Sequence, residues 1–357
     1  MKMIKSSVVM YNIPDATDHD AVLMHLERIG RTCYKSEDKI TTDSAAKFLK
    51  NIRNRKHWAI LEHYIFTVSV PEWIYFDLQD VFTESNFNED SEYITKFSFI
   101  HRTYWDKANK NRYRYLVSFS ATALNYLVES ITNKNDISCN VTNSIITLYK
   151  FMRKEYPELM SNCYTDLPDS DDSEISFLTR EEIKSLPNWI RDIHDFMSVL
   201  FIVDRGVSHE IVRHRPASYA QESTRYCNYS KDKFDNGITV IIPCFFDTGM
   251  GEISNSLVFD EWKFACESAE RRYLQLLEYG AKAEQARTVL PNSLKTELNM
   301  TATIHEFKHF FNMRCDIAAH PQMREVACQL LIEANDSEYY KNVFNDQIHL
   351  SHKEDLE

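Results

Sequence analysis

Arg213-His214-Arg215-Pro216-Ala217-Ser218-Tyr219-Ala220-Gln221-Glu222-Ser223-Thr224-Arg225-Tyr226 decides how the rest of this chain is read. Three arginines and a histidine crowd into 13 of these residues, although the whole chain carries a net charge of −12. Guanidinium is a planar fork of donors that fits phosphate and carboxylate and stays charged at any working pH. Ser218, Gln221, Ser223 and Tyr226 set neutral hydrogen-bonding groups between those charges. The mixture suits an anionic, ring-bearing ligand such as a nucleotide, whereas a solvated basic helix end would need only the arginines. A helix from about Asp204 should run into Arg213 and stop before Pro216, because the residue preceding a proline is pushed out of the helical region. Arg213 would then leave from the last helical turn and Arg215 from an extended segment.

Outward from this stretch, 195–203 reads as a strand and Ile238–Pro243 as a short buried strand. Residues 255–279 carry the apolar spacing of a long amphipathic helix closed by Gly280. A short helix over 281–289, a strand over 294–302 and a helix over 304–314 follow, and the last helix opens at His320-Pro321. Near the N-terminus the pattern gives a strand at 4–12, a helix at 18–30, a helix capped by Asp43, and a strand at 61–70 that alternates like a half-buried one. His63, at the start of that strand, reads on its own as a hydrogen-bonded structural histidine.

Residues 72–194 have another texture, with helical patterns at 73–82, 120–131 and 141–156. Five acids between Asp166 and Glu174, around Pro168, mark an exposed linker. The expected organisation is a core of 1–71 and 195–335, a mainly helical insert at 72–194 and a C-terminal extension at 336–357. Tyr113–Ser118 is strand-like and runs into a helix, a loose echo of 298–311 with too little identity to count as a repeat.

A 357-residue chain with 43% hydrophobic residues has material for one large domain or two. An isoelectric point near 5.6 argues against a general nucleic-acid binder. No apolar run approaches the roughly 20 residues needed to span a bilayer, and Met1–Lys5 lacks a signal-peptide core. Eight cysteines without a Cys-x-x-Cys pair fit reduced thiols, hence the cytoplasm. No Gly-x-Gly-x-x-Gly is present, so a dinucleotide would not be held by that fingerprint.

His305-Glu306-Phe307-Lys308-His309 spells the zinc-hydrolase helix motif, with two histidines one turn apart and a glutamate as base. It lacks a Gly-x-x-His continuation. Thr303-Ile304-His305-Glu306 is also a capping box, which explains Glu306 without a metal. A zinc metallohydrolase using His305, Glu306 and His309 is nonetheless the alternative reading, and a non-catalytic nucleotide-binding protein is a third.

Arg-His-Arg, seven residues, then Ser-x-Arg-Tyr resembles the signature of the flavin-dependent (ThyX-type) thymidylate synthases. Further ordered blocks resemble the same family: Arg31–Ser36, Leu61–His63, Asp204–Glu210, Ala286–Pro291, Lys308–Arg314 and His320–Glu325. The resemblance implies an α/β fold of the α+β type, with a mixed, largely antiparallel sheet flanked by helices. It also implies a homotetramer with active sites where subunits meet, binding FAD, dUMP, NADPH and 5,10-methylenetetrahydrofolate. FAD would lie against Arg213, His214, Arg215, Gln221, Thr303, His309 and His63, with Thr303 standing where many relatives have asparagine. The dUMP positions would be Glu210, Ile211, Val212, Arg213, Gln221, Glu222, Ser223, Thr224, Arg225, Arg287 and Arg314. Arg314 would be the catalytic residue, facing the pyrimidine and favouring its ionised form. The resemblance implies no cysteine nucleophile, no metal, no nucleic acid and no membrane.

Overall fold

The computed structural model describes residues 1–83, 100–105, 113–132, 139–161, 172–246 and 256–352. Strands β1 (Lys2–Ile4) and β2 (Ser7–Met10) replace the single expected N-terminal strand. Helix α1 (His19–Thr32) starts where the Asp18 carboxylate accepts from the Ala21 amide and buries Val22, Leu26 and Ile29. Then come α2 (Ser44–Asn54), β3 (Ile65–Val70), α3 (Glu72–Thr83), β4 (Ile100–Trp105), β5 (Tyr113–Ser120), α4 (Ala121–Thr132) and α5 (Cys139–Glu155). The chain continues through β6 (Ser176–Phe177), α6 (Arg180–Lys184), α7 (Asn188–His194), β7 (Phe196–Asp204), α8 (Arg205–Ile211), β8 (Ser218–Gln221) and β9 (Thr239–Ile241). It closes with α9 (Leu257–Glu278), α10 (Ala283–Ala286), β10 (Lys295–Thr303), α11 (Ile304–Arg314), α12 (Pro321–Asp336) and α13 (Asn345–Ile348). Gly280, at φ +91°, ends α9 in a left-handed turn that favours glycine. No described helix is long and apolar enough to cross a membrane.

Ten described strands form two four-stranded antiparallel sheets and one parallel pair, β1 with β9. The first sheet runs β2-β7-β10-β8 and the second β6-β3-β5-β4. The two orders correspond strand for strand. Thr67↔Ser118 in the second sheet answers to Ser198↔Thr301 in the first, and Ile65↔Ser120 to Phe196↔Thr303. Edge strands agree as well, since the Tyr11 amide donates to the Ser198 carbonyl and the Leu178 amide to the Thr67 carbonyl. In both sheets the second central strand runs straight into a helix whose cap is the strand's last hydroxyl. Ser120 accepts from the Ala123 amide, and Thr303 accepts from the Glu306 amide.

Residues 7–161 and 172–352 are therefore two halves of like topology that exchange their first strands: β2 joins the second half's sheet and β6 the first half's. A reciprocal polar core joins them. His63 Nδ1 lies 2.8 Å from Thr301 Oγ1, itself 2.6 Å from Ser198 Oγ. His194 Nδ1 lies 2.6 Å from Ser118 Oγ, itself 2.7 Å from Thr67 Oγ1. Around these bonds lie two apolar clusters. One joins α1 and α2 to β3, α4 and α5 through Leu26, Phe66, Phe119 and Tyr149, and the other joins β7 and β10 to α11 and α12 through Phe201, Phe307 and Phe310. Removing one such buried ring costs about 3–5 kcal/mol.

The structure corrects several expectations. The boundary expected at residue 72 divides no core, because α3, α4 and α5 share one apolar cluster with α1, α2 and β3. The segment expected as a mainly helical insert holds three strands of the second sheet besides its helices. The echo between 113–118 and 298–311 is structural: both are central strands leading into helices, and identity is low because only buried size and hydroxyl positions are matched. β3 is buried at all six positions instead of alternately, since both its faces are covered. The acidic linker at 166–174 lies mostly outside the described residues. The C-terminal extension contributes Tyr340, Phe344 and Leu350 to the second cluster.

Candidate functional site

Helix α8 is started by Asp204, which accepts from the Val207 amide at 2.7 Å and from Gln322 at 2.6 Å. It ends at Ile211, earlier than expected, and Arg213 and His214 lie in the following turn. The Tyr219 hydroxyl donates toward the carbonyls of Ile211 (2.9 Å) and His214 (2.7 Å), satisfying groups that a longer helix would have bonded. The Arg215–Pro216 peptide is cis, and β8 begins at Ser218. The side chains of Arg213, Arg215 and Arg225 are exposed and form no ion pair among the described residues.

Arg314, in the last turn of α11, is held from two sides. Its Nη1 donates to Glu210 Oε2 at 2.9 Å, Nη2 to the Glu210 carbonyl at 3.1 Å and Nε to His214 Nε2 at 2.7 Å. Accepting that bond requires a neutral His214. Burial, together with the charge of Arg314 and the nearby His309, pushes the His214 pKa down to about 4. The His309 ring stands 6.0 Å from that of His214. Guanidinium has five N–H donors, so the clamp leaves two for a ligand.

A second cluster gathers at the end of β8. Buried Thr224 accepts from Arg205 Nη2 at 3.2 Å and from Arg287 Nη1 at 3.3 Å. Gln221 donates to Ser208 Oγ (2.9 Å) and Thr296 Oγ1 (3.2 Å), and the Ser223 amide donates to the Cys33 carbonyl. Arg205 was missed among the sequence candidates, although it sits in the Asp204–Glu210 block. Glu222 departs from its expected role, because its carboxylate is buried against Tyr229 (3.2 Å) and Lys295 (3.0 Å). Ile211 is wholly buried and Val212 partly so, leaving their backbone as what they offer the site.

His63 is buried, bonded to Thr301 through Nδ1, and its Nε2 has no hydrogen-bond partner. Burial and the neighbouring His25 push its pKa down to about 3. Thr303 is engaged as the α11 cap, with only the first of the two expected capping-box bonds present. Among the described residues no three His, Cys, Asp or Glu are arranged to hold a metal, and His305 and His309 are both exposed on α11. A cavity of about 340 Å³ opens between the halves, lined by Glu62, Ser120 and Thr122 from one and Arg215, Ser218 and Tyr219 from the other. Ser218 donates to Glu62 across it at 2.8 Å. A larger cavity of about 700 Å³ lies beside Tyr11 and Arg28, but its Lys35 and Lys295 are already paired with Glu297.

Residues 193–337 match the family model described as thymidylate synthase complementing protein. A flavin-dependent thymidylate synthase of Geobacter sulfurreducens is 35% identical over 133 residues, 36% of this chain and 51% of that protein. One of Pyrococcus abyssi is 32% identical over 129 residues (36% and 50%), and one of Saccharolobus solfataricus 34% over 167 residues (44% and 58%). The chain spans about half the length of the curated relatives it matches. Among solved structures, a UMP/dUMP methylase from Streptomyces cacaoi bound with 5-Br dUMP aligns at a TM-score of 0.35 and 24% identity, over 47% of this chain and 80% of that one. A superposition that loose carries no argument about fold or ligand. The match over residues 193–337 is to the family that the arginine-rich stretch also resembles.

Proposed function

We propose that the chain converts dUMP to dTMP reductively, taking its one-carbon unit from 5,10-methylenetetrahydrofolate and its hydride from FAD kept reduced by NADPH. The observation that carries this reading is the placing of Arg314. A guanidinium with two free donors is fixed by Glu210 and a neutral His214, beside the exposed guanidiniums of Arg213 and Arg215. A group pinned before the ligand arrives loses little on reorganising, which is what stabilising charge in a reaction demands.

The residues present fit a flavin and a nucleotide. His63 offers an unsatisfied buried nitrogen, and the exposed arginines offer forks for phosphates. Arg213, Arg215 and the backbone around His214 would hold FAD with Gln221, His309 and His63, and Thr303 would lie beside it as a helix cap. When bound, the flavin supplies the hydride. The rest falls to the chain. Arg225 and Arg287 grip the nucleotide phosphate, with Thr224 and Arg205 orienting Arg287. Arg314 meets the pyrimidine oxygens and stabilises negative charge as it develops on them. Ser223 serves as a hydrogen-bonding group, and assembly as a homotetramer in the cytoplasm belongs to the same reading.

Purified protein should be yellow, with a flavin absorbance spectrum, and its gene should rescue a thymidine-requiring host. Colourless protein holding one zinc per chain and giving no rescue would replace this reading with the hydrolase built on His305, Glu306 and His309.

A further inference from the structure

The two halves share strand order, register, helix caps and buried histidine–hydroxyl bonds, so residues at matched positions can be compared directly. Counting along β10 and α11 against β5 and α4, Arg314 falls on Ile131 and His309 on Tyr126. Counting along β8 against β4, Gln221 falls on Thr103. Continued back by the same number of residues, Arg213-His214-Arg215 falls on Thr95-Lys96-Phe97 in the sequence. The connection from β8 to β10 carries Arg225 and Arg287, whereas only residues 106–112 separate β4 from β5. The family match begins at residue 193, at the end of the helix that leads into β7, and so leaves the first half out.

We infer that the chain is a fused pair of like halves in which only the second keeps nucleotide-binding chemistry, so that each chain carries one nucleotide site. This rests on the nucleotide reading above and refines it. The first half serves the surviving site structurally. It lends Glu62 to Ser218, the Cys33 carbonyl to the Ser223 amide, and His63 to Thr301. The reciprocal place keeps the histidine, His194 on Ser118, but Ile193 and Ile100 stand where the Glu62–Ser218 bond would be. A guanidinium cluster replaced by one lysine and neutral residues has lost the forks that hold phosphate.

Calorimetric titration of the full-length, flavin-loaded protein with dUMP tests this. The expected stoichiometry is one dUMP per chain, lost or weakened at least tenfold by Arg213→Ala and unchanged by Lys96→Ala. Two dUMP per chain, with Lys96→Ala removing one, would overturn the single-site inference and leave the nucleotide reading standing. No dUMP bound by flavin-loaded wild-type protein would overturn the nucleotide reading and this inference with it.

Discussion

The first half of this molecule and its second half differ where they meet solvent and agree where they do not. Ser118 and Thr67 in one, and Thr301 and Ser198 in the other, hold the opposite half's histidine with nearly equal distances. Outside that core the second half carries the arginine corner, while the segment 72–95 of the first half contains no arginine, lysine or histidine at all. The contrast follows from energetics. Losing one partner of a buried hydrogen bond costs about 1–3 kcal/mol, whereas exchanging an exposed side chain usually costs under about 0.5 kcal/mol. A shared scaffold can therefore keep its inner polar bonds while its surface chemistry diverges.

The sharpest way to break this contrast is at Arg314. Its replacement by alanine should leave the protein folded and flavin-loaded, because the side chain is partly exposed and among the described residues bonds Glu210 and His214 alone. Turnover should fall about 10²–10³-fold, the usual loss when one preorganised charge-stabilising donor is removed. Turnover within a factor of two of wild type would remove Arg314 from the chemistry and with it the strongest difference between the halves.

Acid should act on both halves, and on the first one more. His63 and His25 have pKa values pushed down to about 3 and about 4 by burial, and His214 to about 4 by burial and Arg314. Each folded value is depressed below the unfolded 6.5, so the unfolded chain binds more protons between the two. Stability is fully present above pH 6.5 and declines as pH falls toward 4, by up to about 1.4 kcal/mol per pH unit for each histidine. Chemical denaturation at pH 7.0, 6.0 and 5.0 measures it, and a midpoint independent of pH would contradict buried neutral histidines. His63→Gln and His214→Gln variants should each show a shallower decline than the wild-type protein.

Much of the second half is legible in the sequence. Apolar spacing placed α9, β10 and α11 within two or three residues, and Gly280 marked the end of α9 because only a left-handed turn closes it there. The arginine stretch was legible because its residue types are expensive to keep together without a ligand. The division of the chain was not, because strand exchange is invisible to periodicity: nothing in Ser7–Met10 says that its partner is Phe201 rather than Phe66. Glu222 misled for a similar reason. Its sequence neighbours point to the ligand site, while its carboxylate turns inward to Lys295, a partner 73 residues away.

The matched hydroxyls sharpen the comparison from the structural side. Thr301→Val removes the bonds that His63 Nδ1 and Ser198 make to its hydroxyl, and Ser118→Ala removes those of His194 Nδ1 and Thr67, although Thr67 keeps its bond to the His194 carbonyl. Both should destabilise by about 1–3 kcal/mol in denaturant unfolding. Only Thr301→Val should also loosen flavin binding, because His63 follows Glu62, which lines the cavity beside Arg215. Equal loss of flavin from both variants would mean that the first half's counterpart site still takes part.

The smallest effect is expected at Thr224. Its hydroxyl accepts from Arg205 and Arg287 at 3.2 and 3.3 Å, contacts long enough to steer a guanidinium without fixing it. Thr224→Val keeps the shape and removes the acceptor, so Arg287 should sample more rotamers before phosphate arrives. The cost should fall on KM for dUMP, about three- to tenfold, with kcat little changed, since the phosphate sits away from the reacting carbon. A fall in kcat with KM unmoved would place Thr224 nearer the pyrimidine than the phosphate. The guanidinium pair around it would then have to be reassigned from gripping the ligand's tail to shaping its ring pocket.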